Sequence, residues 1–201
     1  MKEKSAILLS GGMDSTALAF WVKPSHAFTV NYGQKAASAE IRAAKQVCNE
    51  IGICHDIIEV DCSSLGSGDM LTTEALPIAP STDWWPFRNQ LLITLAAMRA
   101  IREDIKILYL GSVKEDSSYK DGSLEFINLI SDTLSFQEGS IKVSAPSINM
   151  TTIDLVNTSK IPKTLLAWSH SCHVSNFACG RCRGCNKHRM VMEKIHDRTS
   201  Y

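Results

Sequence analysis

Two short stretches hold most of the residues in this 201-residue chain that could do chemistry. Ser10-Gly11-Gly12-Met13-Asp14-Ser15 stands between an apolar run and an apolar helical pattern. Glycines let the backbone take positive φ and approach a ligand closely. A strand-to-helix turn of this kind aims backbone N–H groups and the positive end of a helix at an anion. The hydroxyls of Ser10 and Ser15 add donors for phosphate oxygens, and Asp14 suits a hydrated magnesium ion. The loop has no P-loop lysine and does not match G-x-G-x-x-G. The second stretch is Cys172-x6-Cys179-x2-Cys182-x2-Cys185. Four thiolates make a closed tetrahedral zinc site with no position left for water, so the metal would be structural. A redox pair and an iron–sulfur cluster are the other uses of such spacing.

The elements that must position these groups alternate along the chain. Apolar, strand-like runs cover 6–10, 26–33, 54–60 and 105–111, and helical patterns cover 13–22, 36–52 (closed by Gly52) and 89–103. That alternation argues for a parallel sheet with helices on both faces and ligands at the carboxyl ends of the strands. Residues 124–136 and 152–159 read as helices and 142–150 as a strand, while 61–84, rich in Ser, Gly, Thr, Pro and Asp, reads either as a loop over a site or as a surface connection. The expected organisation is an α/β core over 1–165 and a cysteine segment over 166–201 packed on it.

Lys and Arg total 21, as do Asp and Glu. With no net positive field and no basic block, a small molecule is favoured over nucleic acid as the partner. No long apolar run opens the chain, so neither a membrane span nor a secretory leader is expected, and the location expected is the cytosol. Free thiols fit that compartment: Cys48, Cys54 and Cys62 read as small core residues, apart from the four clustered ones.

The loop Ser10–Ser15 resembles the pyrophosphate loop of the N-type ATP pyrophosphatases. Together with Tyr32-Gly33-Gln34, Pro86-Phe87-Arg88-Asn89, the segment 111–121 and the terminal cysteines, it makes nearly the whole chain similar to the QueC family of 7-cyano-7-deazaguanine synthases. The resemblance implies an adenine nucleotide α-hydrolase-like, Rossmann-like core with a zinc segment, and a homodimer that uses ATP, Mg2+ and Zn2+. It implies adenylation of the carboxylate of 7-carboxy-7-deazaguanine, displacement of AMP by ammonia, and dehydration of the amide to a nitrile. Ser10, Gly11, Gly12, Asp14, Ser15, Tyr32 and Gln34 would then hold the nucleotide. Arg88, Asn89, Asp116, Ser118, Tyr119 and Asp121 would meet the deazaguanine, with Asp14, Ser15 and Arg88 in catalytic roles. By residue type alone Arg88 also reads as a solvated helix-start charge, Asp116 and Asp121 as loop carboxylates, and Trp84 and Trp85 as core or dimer contacts rather than a stacking surface.

Departures from that resemblance fall on the substrate side. Gly122 stands where the family usually has a cysteine, Thr152 where a lysine is common, and two residues fewer separate Cys172 from Cys179. Such a chain could also pass the activated deazaguanine to a protein amine, as QueC-like proteins of antiphage defence are expected to do, or bind nucleotide without turnover.

Overall fold

The computed structural model describes residues 3–71 and 73–197. Residues 1, 2, 72 and 198–201, which the expected units 1–165 and 166–201 include, lie outside the described residues. Five parallel strands form one sheet in the order β3-β2-β1-β4-β5, with β1 (Ser5–Leu8) at its centre. β2 (His26–Asn31) and β3 (Cys54–Glu59) lie to one side, β4 (Ile107–Leu110) and β5 (Lys142–Ser144) to the other. The register pairs Ala6 with His26 on one flank and with Leu108 on the other. The order reverses between β1 and β4, so a crevice opens at the carboxyl ends of those two strands.

Alternation along the strands divides the core into two layers. Ile7 and Ala27 face α1 (Met13–Val22), α2 (Ala37–Ile51), α5 (Thr152–Ser159), α6 (Lys163–Leu166) and α7 (Arg183–Asp197), whereas Ala6, Phe28 and Leu108 face α3 (Arg88–Arg102) and α4 (Leu124–Phe136). α2 ends as its glycine requires, with Gly52 left-handed at φ 72° and its N–H donating to the Cys48 carbonyl. α5 begins with a capping box: the Thr151 hydroxyl accepts from the Asp154 N–H, and the Asp154 carboxylate accepts from the Thr151 N–H. No helix among the described residues is long and apolar enough to cross a membrane.

Two expectations about the fold need correction. The strand expected over 142–150 covers only Lys142–Ser144, because two turns follow it, closed by Ile148 N–H to Ala145 and Met150 N–H to Ser147. Cys54 is exposed, since it opens β3 at the edge of the sheet, whereas Cys48 and Cys62 are buried. The cysteine segment continues into the 15-residue helix α7. Its Val191 and Ile195 are buried among Leu18, Leu155 and Leu166. A spacing of four residues puts both on one helix face, and that face packs on the core.

Val191→Ala should therefore cost about 2 kcal/mol of stability in urea unfolding. The loss should persist after chelation; a loss seen only in metal-loaded protein would show that α7 is held by the cysteines alone.

Candidate functional site

The first loop leaves β1 and turns at Gly11, whose φ is 73°. A Cβ there would lie 2.6 Å from the Glu40 carbonyl oxygen, so glycine is needed both for conformation and for room. The Ser10 hydroxyl accepts from the Gly12 N–H at 3.3 Å and meets the Ser15 hydroxyl at 3.1 Å; Ser15 in turn donates to the Gly12 carbonyl at 3.1 Å. No side chain caps the start of α1, which leaves the first-turn N–H groups directed at the crevice. Gly111, at the end of β4, brings its backbone so close that a Cβ would sit 2.7 Å from the Ser15 Cα.

These loops open into a cavity of about 480 Å3. Ser10, Gly12, Asp14 and Ser15 line it together with Tyr32, Arg88, Asn89, Asp116, Tyr119 and Asp121. Three residues expected at the site do not line it. Gly11 turns away, and its carbonyl accepts from the His170 N–H at 2.8 Å. Gln34 is buried behind the wall, its amide donating to the Val30 carbonyl and Glu40 and accepting from the Tyr32 N–H. Ser118 points outward on a 3-10 turn, its hydroxyl donating to the Glu115 carbonyl at 3.3 Å.

Asp14 does not stand alone. Its Oδ1 accepts from the Thr152 hydroxyl at 2.6 Å and its Oδ2 from the Lys187 ammonium at 2.8 Å. Thr152 also donates its N–H to Glu115 at 3.2 Å. Burial works against the Lys187 charge, but Asp14, Asp116 and Glu115 outweigh it and raise the lysine's pKa. Asp116 is pushed up by burial, only partly offset by Lys187 and by the Val113 N–H donating to its carboxylate. Lys187 carries no motif of its own in the sequence; the one hint is its place two residues after Cys185.

On the opposite wall Arg88 reaches the Met70 sulfur at 3.2 Å. Burial opposes its charge, and Tyr32, Asp121, Glu40 and Asp83 more than compensate. Asn89 and Asp121 bind each other: the Asn89 amide donates to the Asp121 carbonyl at 2.8 Å, and the Asn89 N–H to its carboxylate at 3.3 Å. Their first task is thus to fasten the 111–122 segment to the start of α3. Both tryptophans line the cavity: Trp85 is buried edge-on against Tyr32, with ring centroids 4.8 Å apart, and Trp84 is half-buried.

A second group closes the mouth. Asp83 accepts from Tyr119 at 2.8 Å and from the Ser81 hydroxyl, and Tyr119 accepts from Arg183. His173 Nδ1 lies 3.0 Å from the Asp83 carboxylate but off the hydrogen-bond direction, so this is an electrostatic contact. Burial pushes the Asp83 carboxyl up, yet these neighbours outweigh it and hold it well below the usual range. Asp83, His173 and Arg183 carried no signal by spacing.

Cys172, Cys179, Cys182 and Cys185 bring their sulfurs within 4.8 Å of one another. The pairs Cys179–Cys185 and Cys172–Cys182 are 3.9 Å apart, close to the edge of about 3.8 Å for a tetrahedron with zinc–sulfur bonds of about 2.3 Å. Backbone N–H groups of Cys182 and Cys185 point at the Cys179 and Cys182 sulfurs at 3.4 Å. N–H donors from Arg181 and Cys182 bring the Cys179 thiol down to about 6. The donor set fits zinc, with every thiolate used.

The family model described as "Queuosine biosynthesis protein QueC" matches residues 4–196. The chain belongs to the QueC family. It is 27% identical to a 7-cyano-7-deazaguanine synthase of Methanocaldococcus jannaschii over 98% of this chain and 99% of that one. It is 32% identical to a synthase of the same name from Chlorobaculum parvum over 90% and 88%, and 30% to one from Campylobacter concisus over 91% and 90%. In this QueC-family chain the glycine at 122 has a local cause: any Cβ there would collide with the Asp116 carbonyl. At 152, a hydroxyl holds Asp14, and the cation beside that carboxylate comes from α7.

Two outcomes test this geometry. Because its folded pKa is depressed, Asp83 contributes stability present above the unfolded carboxylate value of about 4 and lost as pH falls through the folded one. The thermal midpoint of Asp83→Asn should thus decline less than that of the wild type between about pH 5 and about pH 2; equal slopes would contradict the assignment. Elemental analysis should find one zinc per chain, and chelation should lower the thermal midpoint. A metal-free purified protein whose midpoint ignores chelators would remove the cluster as a metal centre.

Proposed function

We propose that this chain converts 7-carboxy-7-deazaguanine into 7-cyano-7-deazaguanine in two ATP-dependent activations, forming AMP and pyrophosphate. The observation that carries this reading is the uncapped glycine loop opening into the same cavity as Asp116 and Asp121. An anion-binding helix start and acceptors for a guanine-like edge lie within reach of one ligand pair.

The N–H groups at the start of α1, with Ser10 and Ser15, hold the phosphates of ATP. Asp14 holds hydrated magnesium, which neutralises phosphate charge when bound. Arg88, kept charged on the opposite wall, orients the substrate carboxylate toward the α-phosphorus and steadies the charge that develops there. Asp116 and Asp121 accept from the adjacent N–H donors of the base, and Trp84 covers its face. In the first activation a carboxylate oxygen displaces pyrophosphate, and ammonia then displaces AMP to leave the amide. In the second, the amide oxygen displaces pyrophosphate from another ATP, and that oxygen departs with AMP as the nitrogen loses its protons and the nitrile forms. Cys172, Cys179, Cys182 and Cys185 would hold zinc, which would supply a structural tie for the segment that carries His170, His173 and Arg183 to the cavity. Apolar side chains exposed on α3 and α4, among them Met98, Leu129 and Phe136, support assembly as a homodimer in the cytosol.

Purified protein with magnesium, ATP, ammonia and 7-carboxy-7-deazaguanine should yield AMP, pyrophosphate and a product with the nitrile mass. Asp14→Ala should lower AMP formation at least about 100-fold. An amide as the final product, or an acyl mass on the amine of an added protein, would replace the nitrile step while keeping the activation. Failure to form AMP would reject both.

A further inference from the structure

We propose that Lys187 is a catalytic residue that binds the β- and γ-phosphates of ATP and stabilises the departing pyrophosphate. The proposal rests on the adenylation reading above. Its starting point is the 2.8 Å contact between the Lys187 ammonium and Asp14 Oδ2, made from a side chain that lines the cavity. The first loop supplies backbone donors and hydroxyls but no cation. Arg88 lies across the cavity against Met70, and Arg183 is taken up by Tyr119 and Asp83 at the mouth. Among the described residues, Lys187 is therefore the cation bonded to the loop itself.

Docking of α7 does not account for it. Val191 and Ile195 fix one face of the helix in the core, and Cys185 fixes its first turn in the cysteine cluster. A part-exposed ion pair adds little to such an anchor, yet this one turns a long charged side chain inward beside the uncapped start of α1. The surroundings suit exchange between two partners. Asp14 holds the ammonium in this structure; Asp14 would hold magnesium when the metal is bound, and the flexible four-carbon stem lets the ammonium reach phosphate oxygens. As the substrate carboxylate oxygen bonds to the α-phosphorus, the bond to the α–β bridging oxygen breaks and its electron pair stays on that oxygen. Lys187 meets this charge with a hydrogen bond and transfers no proton.

The test compares wild type, Lys187→Met and Lys187→Arg, all zinc-loaded. Calorimetry with inorganic pyrophosphate and magnesium reads the binding, and AMP formation reads kcat and the KM for 7-carboxy-7-deazaguanine. Lys187→Met should bind pyrophosphate at least about tenfold more weakly and lose about 100-fold in kcat, with that KM unchanged. Lys187→Arg, which keeps the charge and the bulk, should recover part of the pyrophosphate affinity. Wild-type pyrophosphate affinity in folded Lys187→Met would overturn the proposal, as would a loss confined to the KM for the deazaguanine acid. If Lys187→Met does not fold, full pyrophosphate affinity loss in folded Lys187→Arg would equally overturn the role of charge. If the wild type forms no AMP, the adenylation reading fails, and the pyrophosphate titration alone decides whether Lys187 is a phosphate ligand.

Discussion

The carboxylate of Asp14 is where the beginning and the end of the chain meet. Its partners stand 138 and 173 residues away in sequence, on α5 and α7. The ion pair is not the main source of stability, since its side chains are 21% and 27% exposed and water screens them. Apolar burial of Leu18, Leu155 and Val191 supplies the energy. What the polar contacts add is register: with Lys187 on one oxygen and Thr152 on the other, α7 and α5 are aligned against the glycine loop. Removing a single partner leaves a charge in a half-dry place, a worse outcome than removing both.

Parallel pairing places every loop that matters at the same end of the sheet. Three of them must still be brought over the β1 turn, and Asp83 is their common point. Residue 83 comes from the long connection after β3, Tyr119 from the segment after β4, and His173 and Arg183 from the cysteine segment. Within this wall Arg88 rests on Met70 and Lys187 on Asp14, and Asp116 and Asp121 line the same cavity. The cavity thus presents both signs of charge to a ligand.

Much of the fold was legible because it depends on short-range pattern. The run before Ser10, the glycines of the loop, the helix closed by Gly52 and the cysteine spacing each report on a few neighbouring residues. Lys187 was not legible for the opposite reason. Asn186-Lys187-His188-Arg189 reads as a solvated polar stretch, and only the docking of Val191 and Ile195 turns one of its side chains toward Asp14. Gln34 follows a strand end where ligands gather, but its amide satisfies buried backbone groups instead. Trp84 and Trp85 show the limit of residue type: both line the cavity, yet Trp85 is buried against Tyr32 while Trp84 stays half-buried.

The bond from the His170 N–H to the Gly11 carbonyl has a bearing on how the protein is made. Contacts that span nearly the whole chain carry the largest loop-closure entropy and form late. A nascent chain can pair β1 with β2 and wind α1 long before residue 170 exists, and during that interval the glycine loop has neither its roof nor its lysine. Synthesis of the segment that carries His170 and Lys187 is therefore the event that completes the pocket, later than the pairing of the sheet's first strands.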